Sequence, residues 1–157
     1  ARFCRGAGFT LRFIEYMDVG NHNHWEATAV LPVREILEQL GREFALEPLE
    51  PAWLGEVARR YRYADGAGEV GLVGSVTEPF CRDCNRARLT ADGKLVTCLF
   101  ATGGADVRAE LRDGADDREL AAFVRGIWEG RGDRYSELRA AARRAPRPKV
   151  EMSYVGG

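Results

Sequence analysis

Three cysteines constrain this chain more than any other feature. Cys81-Arg82-Asp83-Cys84 is followed by Cys98, a C-x2-C-x13-C pattern. Between them, Ala91-Asp92-Gly93-Lys94 is flanked by Arg86 to Thr90 and Leu95 to Phe100, and the Asp-Gly pair predicts a hairpin. Two thiols two residues apart can bind one centre from a tight turn, and a hairpin returns the third cysteine toward them. In a chain of this composition that arrangement favours metal ligation over disulfides. The fourth corner decides which metal. Structural zinc takes four protein ligands, so Cys4, His22 or His24 would have to complete the tetrahedron, and all lie far upstream at no recognisable zinc spacing. A [4Fe-4S] cube on three cysteines leaves one iron able to bind a substrate nitrogen or oxygen as a Lewis acid. The spacing alone leaves both metals open, and Cys4 reads as a small buried hydrophobe.

The rest of the composition narrows the classes of function. A length of 157 residues with 45% apolar and 30% charged residues predicts one compact core with room for a smaller attached unit, and excludes disorder, collagen and a disulfide framework. With 23 basic and 24 acidic residues there is no global field toward nucleic acid or an acidic membrane, so any anion site is local. Only Lys94 and Lys149 are lysines, and arginine abundance by itself is no evidence of a ligand. Without a leader or an apolar run of about 20 residues, a soluble cytoplasmic protein with no membrane partner is expected. The start at Ala1, without methionine, reads as a fragment whose natural N-terminus lies elsewhere.

Along the chain, Thr10 to Met17 predicts a strand ending in the turn Asp18-Val19-Gly20, with Arg12 and Glu15 either paired, in a polar cavity or in water. Asn21 to Trp25 reads as a loop. Pro32 to Phe44 predicts a helix with Pro32 in its first turn and Val33, Ile36, Leu37, Leu40 and Phe44 on the core face. Glu47 to Pro51 reads as a linker or turn. Arg59 to Tyr63 and Val70 to Thr77 predict two strands around Asp65-Gly66-Ala67-Gly68. Leu120, Phe123, Val124, Ile127 and Trp128 form a helical stripe expected to be buried. A last helix is expected over Ser136 to Arg144. From Arg131 to Lys149, seven basic residues face two acidic ones, which reads as a solvated helix face or as a rim for a phosphorylated ligand. The tail from Val150 reads as a flexible terminus.

Arg86 and Arg88 lie two apart on an expected strand, so both should project from one face beside the cysteines. Two guanidinium forks there can grip phosphate oxygens bidentately.

Taken together, Arg12-Phe13-Ile14-Glu15-Tyr16-Met17-Asp18-Val19-Gly20, the block from Pro79 through Cys81, Cys84, Asn85-Arg86-Ala87-Arg88 to Leu95, then Cys98-Leu99-Phe100 and the final Gly156-Gly157 resemble the molybdenum cofactor biosynthesis protein A family. These are radical S-adenosylmethionine enzymes, also called GTP 3′,8-cyclases. The resemblance implies an α/β chain: the last strand region of an incomplete (β/α) TIM-like barrel over residues 1–30, and an α+β C-terminal extension over residues 31–157 holding a [4Fe-4S] cluster and substrate. It implies that Cys81, Cys84 and Cys98 bind that cluster, whose open iron meets guanine, and that Arg86 and Arg88 hold the GTP triphosphate. Arg12 is similar to an arginine lining the GTP cavity, and Met17 to a residue touching S-adenosylmethionine. Gly156 and Gly157 look like a double-glycine tail that enters the active site and is needed for activity, where residues without side chains can approach closely.

The implied reaction converts GTP to (8S)-3′,8-cyclo-7,8-dihydroguanosine 5′-triphosphate, on the route to cyclic pyranopterin monophosphate. The implied partners are GTP, a second copy of the chain in a homodimer, and the next enzyme of the pathway, cyclic pyranopterin monophosphate synthase. One departure is large. The family's C-x3-C-x2-C motif, which binds a second [4Fe-4S] cluster and cleaves S-adenosylmethionine, is absent from this sequence. Alone the chain is therefore expected to generate no radical. The competing reading is a non-catalytic module, either zinc-stabilised or an electron-transfer iron-sulfur protein.

Overall fold

A computed structural model describes residues 1–144 and 148–155. The chain forms two compact units of similar size, where the composition predicts one core with a smaller attachment. The first comprises Ala1–Met17 and Trp25–Cys84, and the second Asp18–His24 and Asn85–Gly157.

The first unit contains α1 (Arg2–Gly6), β1 (Leu11–Ile14), α2 (Val33–Gly41), β2 (Leu46–Pro48), β3 (Arg59–Tyr63) and β4 (Glu69–Val73). Its sheet runs β1-β4-β3-β2, with β1 parallel to β4 and the other pairs antiparallel. The sheet therefore joins residues from both sides of position 30. Val70 and Leu72 of β4 are wholly buried because β4 is flanked by strands on both sides and covered by α2, whose Val33, Ile36 and Leu40 pack on it with Tyr63.

The apolar spacing of α2 placed its buried face correctly. Pro32, however, caps the helix in an extended conformation and is not part of its first turn. Glu47 to Pro51 is not simply a linker. Residues 46–48 pair with β3 as an edge strand, a sheet position where Pro48, lacking an N–H, is tolerated. Cys4 is half-buried, not buried, because α1 is a surface helix of five residues with no buried side chain.

Glu15 is the polar key of this unit. It is almost wholly buried. It accepts hydrogen bonds from the Val33 amide at 2.9 Å, the Val76 amide at 2.7 Å, the Thr77 amide at 2.8 Å and the Thr77 hydroxyl. One carboxylate thus joins the end of β1, the N-terminus of α2 and the chain leaving β4. Burial pushes its pKa up, but the Thr77 hydroxyl and the three amides outweigh burial and hold it below the ordinary glutamate value.

The second unit holds β5 (Arg88–Leu89), β6 (Lys94–Val96) and β7 (Ala105–Asp106), hydrogen-bonded in that order, then α3 (Val107–Arg112), α4 (Asp117–Glu129) and α5 (Tyr135–Arg144). The Asp-Gly turn forms as expected. Gly93 takes φ +83°, and the Thr90 hydroxyl bonds Asp92 at 2.5 Å and accepts from the Lys94 amide at 2.9 Å. β7 was not anticipated after Gly103-Gly104. Gly104 permits it, since a Cβ there would stand 2.7 Å from the Leu95 carbonyl oxygen.

The stripe on α4 departs from expectation. None of its residues is buried and Val124 is exposed, because the main neighbour of α4 is only the short α3. The start of α4 is well built. Asp116 accepts from the Glu119 amide at 2.8 Å, and the Glu119 side chain accepts from the Asp116 amide at 2.9 Å. Asp116→Ala should lower stability by about 1 kcal/mol in chemical denaturation.

The tail is not loose as far as it is described. Val150 donates to the Ala101 carbonyl at 2.8 Å, and Val155 is buried.

Candidate metal centre

Cys81 and Cys84 end the first unit and Cys98 belongs to the second. The segment leading to the pair leaves β4 past Val76 and Thr77, whose amides Glu15 holds. The Cys84 amide then donates to the Cys81 carbonyl at 3.4 Å, closing a turn around the x2 spacer. Cys98 lies two residues beyond β6. Its sulfur accepts from the Phe100 amide at 3.4 Å, while Phe100 is buried and stacked on Tyr135 at 4.3 Å. All three thiols are half-buried and none is in a disulfide.

Among the described residues no group of three or more His, Cys, Asp or Glu side chains is gathered as a metal site. The donor set itself suits an iron-sulfur cluster. Its three thiols are outside any disulfide, two of them on a closed turn and the third receiving an amide hydrogen bond of the kind that stabilises cluster thiolates.

The arginines fall less regularly than their spacing suggests. Arg88 is half-buried in β5, but Arg86 is exposed and precedes the strand. The β5–β6 pairing covers only Arg88 opposite Val96 and Leu89 opposite Leu95, so strand alternation does not govern the direction of Arg86. Arg12 sits on β1 opposite Gly71, and its stem fills the space a side chain would take there. A Cβ on Gly71 would stand 3.2 Å from Arg12 Cγ. Met17, half-buried, closes the first segment of the first unit. Gly156 and Gly157 lie outside the described residues.

The spacing argument missed Asp18. Read as a turn residue, it is 6% exposed and accepts from Tyr135 Oη at 2.5 Å, Arg139 Nε at 2.9 Å and Lys149 Nζ at 3.0 Å. Burial raises its pKa. The hydrogen bonds from Tyr135, Arg139 and Lys149 and the charge of Arg139 more than reverse this, so the group stays ionised. Part of the basic stretch 131–149 is therefore neither a solvated face nor a ligand rim. Arg139 is buried on Asp18 with Lys149 beside it, and Arg134 pairs with Glu137. An acid 121 residues away from its arginine partner leaves no local signal.

Fold and thiols together define a mixed α/β protein with three half-buried cysteines at C-x2-C-x13-C spacing. Residues 9–137 match the family described as Molybdenum Cofactor Synthesis C, and the chain belongs to that family. It is similar to the GTP 3′,8-cyclase of Acidothermus cellulolyticus, 45% identical over 181 aligned positions covering 100% of this chain and 50% of the relative. The GTP 3′,8-cyclase of Xanthomonas campestris is 48% identical over 153 residues, 98% of this chain and 44% of the relative. That of a Synechococcus species is 48% identical over 158 residues, 100% of this chain and 44% of the relative. The chain spans about half the length of the curated relatives it matches. Among the described residues no helix is long and apolar enough to cross a membrane.

Proposed function

We propose that this chain is the GTP-holding part of a GTP 3′,8-cyclase acting in molybdenum cofactor biosynthesis. The observation that carries the reading is the coincidence, in a chain 45–48% identical to proteins of that name, of three cysteines outside any disulfide with the Arg86 and Arg88 pair. In this reading residues 1–30 supply the last strand region of an incomplete (β/α) barrel and residues 31–157 the extension. Cys81, Cys84 and Cys98 hold a [4Fe-4S] cluster, which when bound offers one iron as a Lewis acid to the guanine of GTP.

The remaining work falls to the chain's own side chains. Arg86 and Arg88 bind triphosphate oxygens. A guanidinium stays charged at every working pH and donates in pairs, so two of them fix the phosphates without proton transfer. Arg12, supported over Gly71, meets the nucleotide from β1, and Met17 contacts S-adenosylmethionine. Gly156 and Gly157 enter the site as a backbone without side chains. The radical is generated by a C-x3-C-x2-C segment that this sequence lacks, so the isolated chain binds GTP and turns none over. The assembly is a homodimer in the cytoplasm, and its product passes to cyclic pyranopterin monophosphate synthase.

The test is GTP binding after anaerobic reconstitution with iron and sulfide. The reconstituted chain should bind GTP, and Arg86→Ala with Arg88→Ala should weaken binding by about 1.5–3 kcal/mol per lost charge-assisted contact. A double variant that binds as tightly as the parent removes the phosphate assignment. One zinc per chain with no brown chromophore replaces the whole reading with a zinc module.

A further inference from the structure

The C-terminal segment is tied down at several points within the second unit, and most of the ties meet residues 18–21. Lys149 Nζ donates to the Asp18 carboxylate at 3.0 Å and to the Asp18 carbonyl. The same ammonium lies 4.7 Å from the centre of the Tyr135 ring and 5.3 Å from that of Phe100. The Asn21 side chain grips the Lys149 backbone twice, accepting from its amide at 2.9 Å and donating to its carbonyl at 2.8 Å. Glu151 accepts from the Asn21 amide at 3.0 Å. It also presses against Gly20 at φ +64°, where any side chain would collide with the Glu151 carboxylate. Farther along, Tyr154 Oη meets Asp92 at 2.7 Å.

Asp18 is the charged centre of this set. It serves two cations, Arg139 on α5 and Lys149 on the tail, whose side chains are 8% and 14% exposed. Without the carboxylate, two poorly hydrated cations would be left beside the same aromatic pair, Phe100 and Tyr135. Arg139 is carried by a ten-residue helix, whereas Lys149 lies on an irregular stretch outside any helix or strand, so the tail is the part that can leave without unwinding a helix.

We propose that Asp18 is a positioning residue that fixes the C-terminal segment 148–155 to the second unit through Lys149. The use of Gly156 and Gly157 in GTP cyclisation rests on the reading above; the anchoring does not.

The two lysines make the test direct. Endoproteinase Lys-C cutting after Lys149 releases the peptide Val150–Gly157, and cutting after Lys94 reports on the β5–β6 hairpin. Asp18→Asn should release the tail peptide about tenfold faster than the parent or more, with cleavage at Lys94 unchanged. In hydrogen exchange, Lys149→Met should lose protection at the Val150 amide while Lys149→Arg keeps it, with α4 amides unaffected in both. Unchanged tail release in Asp18→Asn overturns the proposal. So does release that rises in parallel with cleavage at Lys94, or equal loss of protection in Lys149→Arg and Lys149→Met. A chain that binds no GTP yet shows the local release pattern overturns the nucleotide reading and leaves the anchor standing.

Discussion

Cys98→Ser should abolish the brown chromophore and the bound iron and sulfide obtained on anaerobic reconstitution, and Cys81→Ser and Cys84→Ser should each do the same. The three thiols are the only cysteines besides Cys4, so no spare sulfur can complete a cube that needs a minimum of three protein ligands. Serine keeps the size of the side chain and removes the soft, readily deprotonated sulfur that iron-sulfur clusters select. Cys4→Ser is the control and should reconstitute like the parent, since Cys4 sits on α1, far from the C-x2-C segment in the sequence. Iron content, acid-labile sulfide and the visible spectrum measure all four variants. A Cys98→Ser variant carrying the parental complement of iron would remove Cys98 from the ligand set.

Glu15→Gln should lower stability by about 2–3 kcal/mol at neutral pH, as measured by urea unfolding. The substitution keeps the shape of the side chain but turns one acceptor into an NH2 group, which then faces amide donors from Val33, Val76 or Thr77 inside the first unit. A buried donor without an acceptor costs about 1–3 kcal/mol, and the lost negative charge weakens the remaining bonds. The sign of the pH dependence follows from the direction of the shift. The folded-state pKa of Glu15 lies below its ordinary value of 4.5, so ionised Glu15 stabilises the fold fully above that value. The contribution fades as the pH falls toward the depressed folded-state pKa. The gap between parent and variant should therefore be widest near neutrality and narrow in acid. A gap that stays constant from neutral pH to pH about 3 would mean that the carboxylate charge is not what holds the three segments.

Glu15 also shows where legibility ended. Its placement in a strand-like run made plain that it needed a partner or water, yet apart from the Thr77 hydroxyl its partners are backbone amides from α2 and from the chain beyond β4, which carry no residue identity. Asp18 is the harder case, because Arg139 and Lys149 lie in a basic stretch whose arginines look alike in sequence. The apolar period of α2 was readable because three of its side chains enter one sheet face. The similar period of α4 misled, because periodicity records which face is apolar and not how much protein stands opposite. Arg86 misled for a related reason. Spacing of two implies a common face only while the strand lasts, and β5 ends its pairing at Arg88.

By itself the sequence determined the local chemistry: the thiols and their spacing, the Asp-Gly turn, the core face of α2 and the family to which the chain belongs. Those depend on residue identity and on neighbours within a turn or two. Only the tertiary structure decided how residues 18–24 leave the first unit to join the second, and that Asp18 there gathers an arginine, a lysine and a tyrosine from more than a hundred residues away. A buried carboxylate takes whichever donors packing brings within about 3 Å, and that distance is a property of the folded chain.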